Sequence, residues 1–143
     1  MPQGITHFQT LLAEKKLRVT KPRLAVLEAV SASETAVTQP ELEKQLGTDF
    51  DRVTLYRCLA VFEEKGILHK VFDLQGTAAY AICQSSCSSH QHHDQHVHFI
   101  CTQCNSIYCL EEIAIPAFNL PAHYTLNSVG VNATGICAVC KTG

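Results

Sequence analysis

Two Cys-x2-Cys pairs set the tightest limit on how this chain can fold: Cys101/Cys104 and Cys137/Cys140, separated by 32 residues. Each pair spans a tight turn whose sulfurs converge, and four thiolates fill a tetrahedral zinc shell with no position left open. The pattern predicts a closed, structural site holding one zinc per chain. It also predicts that the metal staples a second half of roughly 60 residues whose own core is thin. A redox role for either pair, or chance, is a poorer explanation when two such pairs occur together.

The first pair belongs to a denser run. Residues 83–109, CQSSCSSHQHHDQHVHFICTQCNSIYC, hold five of the eight cysteines and five of the eight histidines. His96 and His98 lie two apart on an expected strand, so their side chains leave the same face. With Cys101 paired to Cys104 across the knuckle, Cys109 is expected opposite His96 and diagonal to His98. His69 begins and Cys83 ends a strand hairpin in the first half. A metal gathering His69, Cys83, His96 or His98, and Cys109 would clamp the two halves together. Such a soft nitrogen and sulfur set suits Zn2+ better than Fe2+ or Mn2+. His90, His92 and His93 are read as solvated loop residues or a weak metal scavenger.

An apolar fraction of 46% fits a folded globular chain. No apolar run approaches the ~18–20 residues that span a bilayer, and the N-terminus lacks a secretory signal pattern. A cytoplasmic protein with no membrane partner is expected, in which cysteines serve as ligands and thiols rather than disulfides. The formal charge of −2 is uneven: residues 1–70 carry a net +1 and residues 71–143 a net −3. Any anionic partner is therefore expected at the first half.

In chain order, residues 4–16 carry a stripe of Ile5, Phe8, Leu11 and Leu12, and predict a helix. Thr20 caps a second, with Pro22 in its first turn and Leu24, Leu27 and Val30 inward. Thr38-Gln-Pro-Glu41 is a capping box that starts a short third helix closed by Gly47. A fourth helix follows over residues 49–66, with Leu55, Leu59 and Phe62 on one face and Gly66 as its C-terminal cap. Arg52, Thr54, Tyr56 and Arg57 crowd its first two turns. A short helix, a tight turn and a helix so led have the layout of a helix-turn-helix, whose second helix reads base edges. Ordinary helical bundles that carry a solvated charged face share the pattern. ILHKVF and AAYAIC around the turn Asp73-Leu-Gln-Gly76 make the hairpin of a wing. The fold class is α+β: a winged helix over residues 1–84, a polar linker over 85–95 and a zinc-stapled domain over 96–143. Strands VHFIC and SIYC, then one or two more in TLNSVGVNATGIC, fill that last domain.

Leu17 to Glu28 (LRVTKPRLAVLE), Val53-Thr-Leu-Tyr-Arg57, Glu64-Lys-Gly66, HVHFICTQC and the terminal CAVC resemble, in order, the ferric uptake regulator family of metal-dependent repressors. The resemblance covers nearly the whole chain. It implies that the second half is an α/β dimerisation domain, and that a homodimer binds double-stranded operator DNA when metal-loaded and represses metal uptake genes. Arg52, Thr54, Tyr56 and Arg57 would contact DNA, with Arg18 reaching backbone or minor groove.

Iron and peroxide sensors of the family carry a hinge histidine where this chain has Ala36. Iron-type members carry a glutamate where it has Ala81. A further family site would need ligands at Gln95, Val97 and Val129. His69-Lys-Val71, Tyr80-Ala-Ile-Cys83 and a ligand at 109 are instead similar to the zinc uptake regulator branch, from which Cys109 itself departs by replacing a carboxylate. The second, regulatory metal is accordingly read as Zn2+. Rival readings are an iron- or peroxide-responsive member, a thiol switch through Cys83, Cys87 or Cys109, and zinc hydrolysis with Glu111 or Glu112 as base. No HExxH or HxE…PCxxC pattern supports hydrolysis, so neither an enzyme nor a small-molecule substrate is expected. Cys58, on the fourth helix, is read as a small packing residue.

Overall fold

The computed structural model describes residues 4–82, 97–110, 113, 117, 119–126 and 129–142. Four helices open the chain: α1 (Ile5–Glu14), α2 (Lys21–Ala32), α3 (Gln39–Leu46) and α4 (Arg52–Glu64), with a two-residue strand β1 (Val37–Thr38) before α3. Local chemistry explains their ends. Thr20 accepts the Arg23 N–H at the start of α2, and Thr38 and Glu41 complete a reciprocal capping box at α3. Asp51 accepts the Thr54 N–H at 2.8 Å and starts α4. Gly66, at φ 75°, takes the left-handed turn that ends the same helix.

Phe8, Leu12, Leu27, Leu42, Leu55, Leu59 and Phe62 are fully buried and join the helices in one core. Ile5, expected on that stripe, is 49% exposed, and Leu24 only borders the core. Strands β2 (Leu68–Phe72) and β3 (Ala78–Ile82) form the wing, and β1 adds to β3 to give a three-stranded antiparallel sheet ordered β1-β3-β2. Lys70 reaches the Glu63 carboxylate at 3.3 Å and ties the wing to the end of α4. The first half is a winged helix.

The second sheet is ordered β5-β4-β6, from β4 (Val97–Cys101), β5 (Ile107–Leu110) and β6 (Val131–Gly135). β5 lies antiparallel to β4 and β6 parallel to it, with Cys101 opposite Gly135. The parallel pairing sends both strands out at the same end, where the two Cys-x2-Cys turns begin. Gly135 matters here because a Cβ would sit 3.1 Å from the Phe99 ring. A one-turn helix α5 (Ala138–Thr142) closes the chain, and it is the only helix of this half among the described residues.

One expectation fails. Cys109 pairs with His98, not with residue 96, because the β4–β5 turn is two residues longer than assumed. Cys101 donates its N–H to the Ser106 carbonyl at 3.0 Å, so Cys104 lies inside the turn rather than across the ladder.

The two sheets meet along one seam. Ala36, Val71 and Ala79 from the first half share a buried cluster with Ile100 and Ile107 from the second. The Ala36 N–H donates to the Ile107 carbonyl at 2.9 Å, and the Asn105 side-chain amide donates to the Asp73 carboxylate at 3.1 Å. Among the described residues no helix is long and apolar enough to cross a membrane. The linker expected over 85–95 lies outside the described residues.

Candidate metal centres and nucleic-acid face

Cys101, Cys104, Cys137 and Cys140 bring their sulfurs within 4.8 Å of one another. The Cys104 and Cys137 sulfurs are 3.9 Å apart. A tetrahedral zinc with Zn–S bonds of about 2.3 Å would space its ligands by about 3.8 Å, so the cluster fits that ion. Thr102 joins the two turns, its N–H donating to the Gly135 carbonyl at 2.8 Å.

Backbone N–H groups prepare two of the sulfurs. Cys101 accepts from Cys104 at 3.5 Å and from Cys137 at 3.4 Å, and Cys137 accepts from Cys140 at 3.5 Å. The Cys104 and Cys137 donors bring the Cys101 thiol down to about 6. The Cys140 N–H, and then the Tyr108 hydroxyl, lower Cys137. Hydrogen bonding to Cys137 raises Cys140 to about 12 and Tyr108 to about 12. The same N–H groups that lower Cys101 and Cys137 would stabilise thiolate ligands, the form in which cysteine binds a metal.

A second cluster spans the seam. His69, on β2, is buried, and its Nε2 lies 3.7 Å from the Cys109 sulfur. The His69 and His98 rings are 5.5 Å apart between centroids. One ligand atom from each of His69, His98 and Cys109 falls within 4.8 Å of the others. Of the two histidines expected on the β4 face, the described one, His98, joins this cluster. Cys83 and His96 lie outside the described residues, as do Cys87, His90, His92, His93, Gln95, Glu111 and Glu112. Ala81 is the cross-strand partner of His69 and offers no ligand atom. Val97, Val129 and Ala36 likewise bring no donor to a metal.

The nucleic-acid candidates gather at the exposed side of α4. Arg52, Tyr56 and Arg57 are exposed there, and Arg18 is exposed on the loop before α2. Arg18, Arg23 and Arg57 border a cavity of about 480 Å³ between α4 and the start of α2, with Thr54, Tyr56 and Cys58 in its wall. Arg23, which sequence reasoning passed over, donates to the Arg18 carbonyl at 2.7 Å and fixes that loop. Glu43 was also missed: it pairs with Arg52 at 3.1 Å, joining the two helices of the helix-turn-helix. Thr54 is engaged by Asp51, whose carboxyl is held below its usual range by the Thr54 side chain and N–H, with Arg57 adding its charge. Cys58 is buried, and burial pushes its thiol up, consistent with a packing role.

A family model described as the ferric uptake regulator family matches residues 14–119. The zinc uptake regulation protein of Escherichia coli strain K12 is 28% identical over 147 residues, covering 95% of this chain and 80% of its own. The ferric uptake regulation protein of Shigella flexneri is 31% identical over 117 residues, covering 79% of this chain and 74% of its own. Among solved structures, a zinc uptake regulator complexed with zinc and DNA superposes with a TM-score of 0.65 at 21% identity. That match covers 96% of this chain and 93% of the other.

Proposed function

Because the chain belongs to the ferric uptake regulator family, and is thus a metal-responsive transcription regulator rather than an enzyme, we propose that it is a zinc-sensing repressor of metal uptake genes. The observation that carries this reading is the cluster of His69, His98 and Cys109, drawn from both halves of the chain. Two imidazoles and a thiolate favour zinc over iron or manganese. Ala81 and Ala36, where iron-type relatives would place a carboxylate and a histidine, add no harder ligand. Cys83, the residue after Ile82, is the proposed fourth ligand.

In this reading the two centres divide the work. Cys101, Cys104, Cys137 and Cys140 hold a structural zinc and keep residues 96–143 folded as the dimerisation domain of a cytoplasmic homodimer. Residues 1–84 form the DNA-binding domain and 85–95 the hinge. His69 sits on the wing, so a metal shared with His98 and Cys109 supplies a crosslink between the DNA-binding domain and the rest. The seam favours the docked arrangement, and a ligand that prefers it need contribute only a few kcal/mol to shift the population. Docking sets the spacing of the two recognition helices in the dimer, which must match the half-sites of double-stranded operator DNA. Arg57 and Tyr56 are exposed for base contact. Arg18 serves the backbone or minor groove, Arg52 approaches DNA beside its Glu43 partner, and Thr54 orders the helix start.

DNA binding titrated with buffered zinc and then iron tests the reading. Activation by a second zinc per chain supports it. Activation by iron alone would move the chain to the iron-responsive branch of the family.

A further inference from the structure

We propose that Asn105 is a positioning residue that fastens the wing turn to the four-cysteine knuckle and so strengthens metal binding at His69, His98 and Cys109; this rests on the reading of that cluster given above. The argument begins with strand periodicity. His69 and Val71 alternate along β2, and Asp73 follows in its turn; Cys109 and Ile107 alternate along β5, and Asn105 precedes them in the knuckle turn. The two series match in order. His69 Nε2 and the Cys109 sulfur are 3.7 Å apart, Val71 and Ile107 share a buried cluster, and Asn105 donates to Asp73 at 3.1 Å. The metal cluster is at one end of this seam and the Asn105–Asp73 bond at the other.

Both ends of that bond are held before it forms. Asn105 follows Cys104 directly, has φ 62°, and donates its own N–H to the Cys101 carbonyl at 2.8 Å. Asparagine tolerates this left-handed conformation, so its side chain is aimed by the knuckle backbone. Asp73 accepts the Gln75 and Thr77 N–H groups on Oδ1, at 2.9 and 2.8 Å, which leaves Oδ2 for Asn105. Pinning this end of the seam raises the fraction of molecules in which His69 already faces Cys109. A metal that binds only that arrangement gains affinity by the same factor. The coupling is reciprocal, so a metal at the cluster also steadies the wing turn.

Two variants test this from opposite sides in the full-length protein with its knuckle zinc. Asn105→Gly keeps the left-handed backbone and removes the amide. Asp73→Ser leaves the knuckle untouched and retains a short turn-capping hydroxyl. Zinc affinity is read by competition with a chromophoric chelator, and wing mobility by hydrogen exchange at the Gln75 and Thr77 amides. Each variant should keep one ion per chain, bind the second about two- to fivefold more weakly and exchange the wing amides faster, as expected for one exposed hydrogen bond. The double variant should be no weaker than either single one. Equal second-ion affinity in the wild type and both variants overturns the coupling alone. A wild type that takes up only one ion overturns the zinc-sensing reading, and the coupling with it.

Discussion

His98 and Cys109 face each other across the β4–β5 ladder, and the pairing presents both ligands to His69 on the wing. A one-residue slip would turn one of them to the opposite face of the sheet. The register is set by the knuckle, since Cys101 pairs its N–H with Ser106 and every later pair counts outward from there. The four-cysteine knuckle therefore fixes the geometry of the His69, His98 and Cys109 cluster.

Removing a ligand should separate the two centres. His98→Ala or Cys109→Ser should leave one tightly held zinc per chain and weaken the second by more than about 100-fold, the upper end of what losing a supporting partner costs. Equilibrium dialysis against buffered zinc measures both.

Stripping the knuckle should have a different consequence. Cys101→Ser, or a strong chelator, should unfold the second half, because metal binding is folding energy in a domain with so small a core. Limited proteolysis should then cut after residue 97 while α1 to α4 stay protected.

The exposed side of α4 predicts the DNA phenotype. Arg57→Ala should weaken binding to selected duplexes by about 1–3 kcal/mol if the guanidinium meets a base edge. Fluorescence anisotropy across a salt series separates that from a phosphate contact, which would lower the salt slope by about 1 and weaken all sequences alike.

The start of α4 should fray in acid. Asp51 titrates below its ordinary value because the ionised carboxylate accepts hydrogen bonds from Thr54. Its stabilisation is present above the unfolded value of 3.8 and is lost as pH falls through the lower, folded value. Protection of the Thr54 amide, relative to its intrinsic exchange at each pH, should fall over that window in the wild type. Asp51→Asn, which caps without titrating, should remove the pH dependence.

Local signals carried far in this chain. Thr20, Thr38 and Glu41 marked helix starts, Leu55, Leu59 and Phe62 marked the inward face of α4, and the two Cys-x2-Cys pairs marked the knuckle. The helix signals depend on neighbours within a few residues, and the convergence of the two cysteine pairs on the four ligands a closed zinc shell needs. The exact partners across other elements were not legible. β1 is only two residues long and exists because β3 pairs with it. The His98–Cys109 register turned on the true length of the knuckle turn. Arg52–Glu43 and Asn105–Asp73 join residues on different elements, and no periodicity announces either. The metal cluster was legible as a set of ligand types, and its membership needed the register.

The most direct test of the central claim measures DNA affinity against buffered free zinc, beside His69→Ala. The DNA would be a duplex selected by the metal-loaded protein from a random pool. Affinity that rises as a second zinc binds, with the rise abolished in His69→Ala while the knuckle zinc remains, is the predicted result. Affinity that is already complete with one zinc per chain, or that responds equally in His69→Ala, would contradict it.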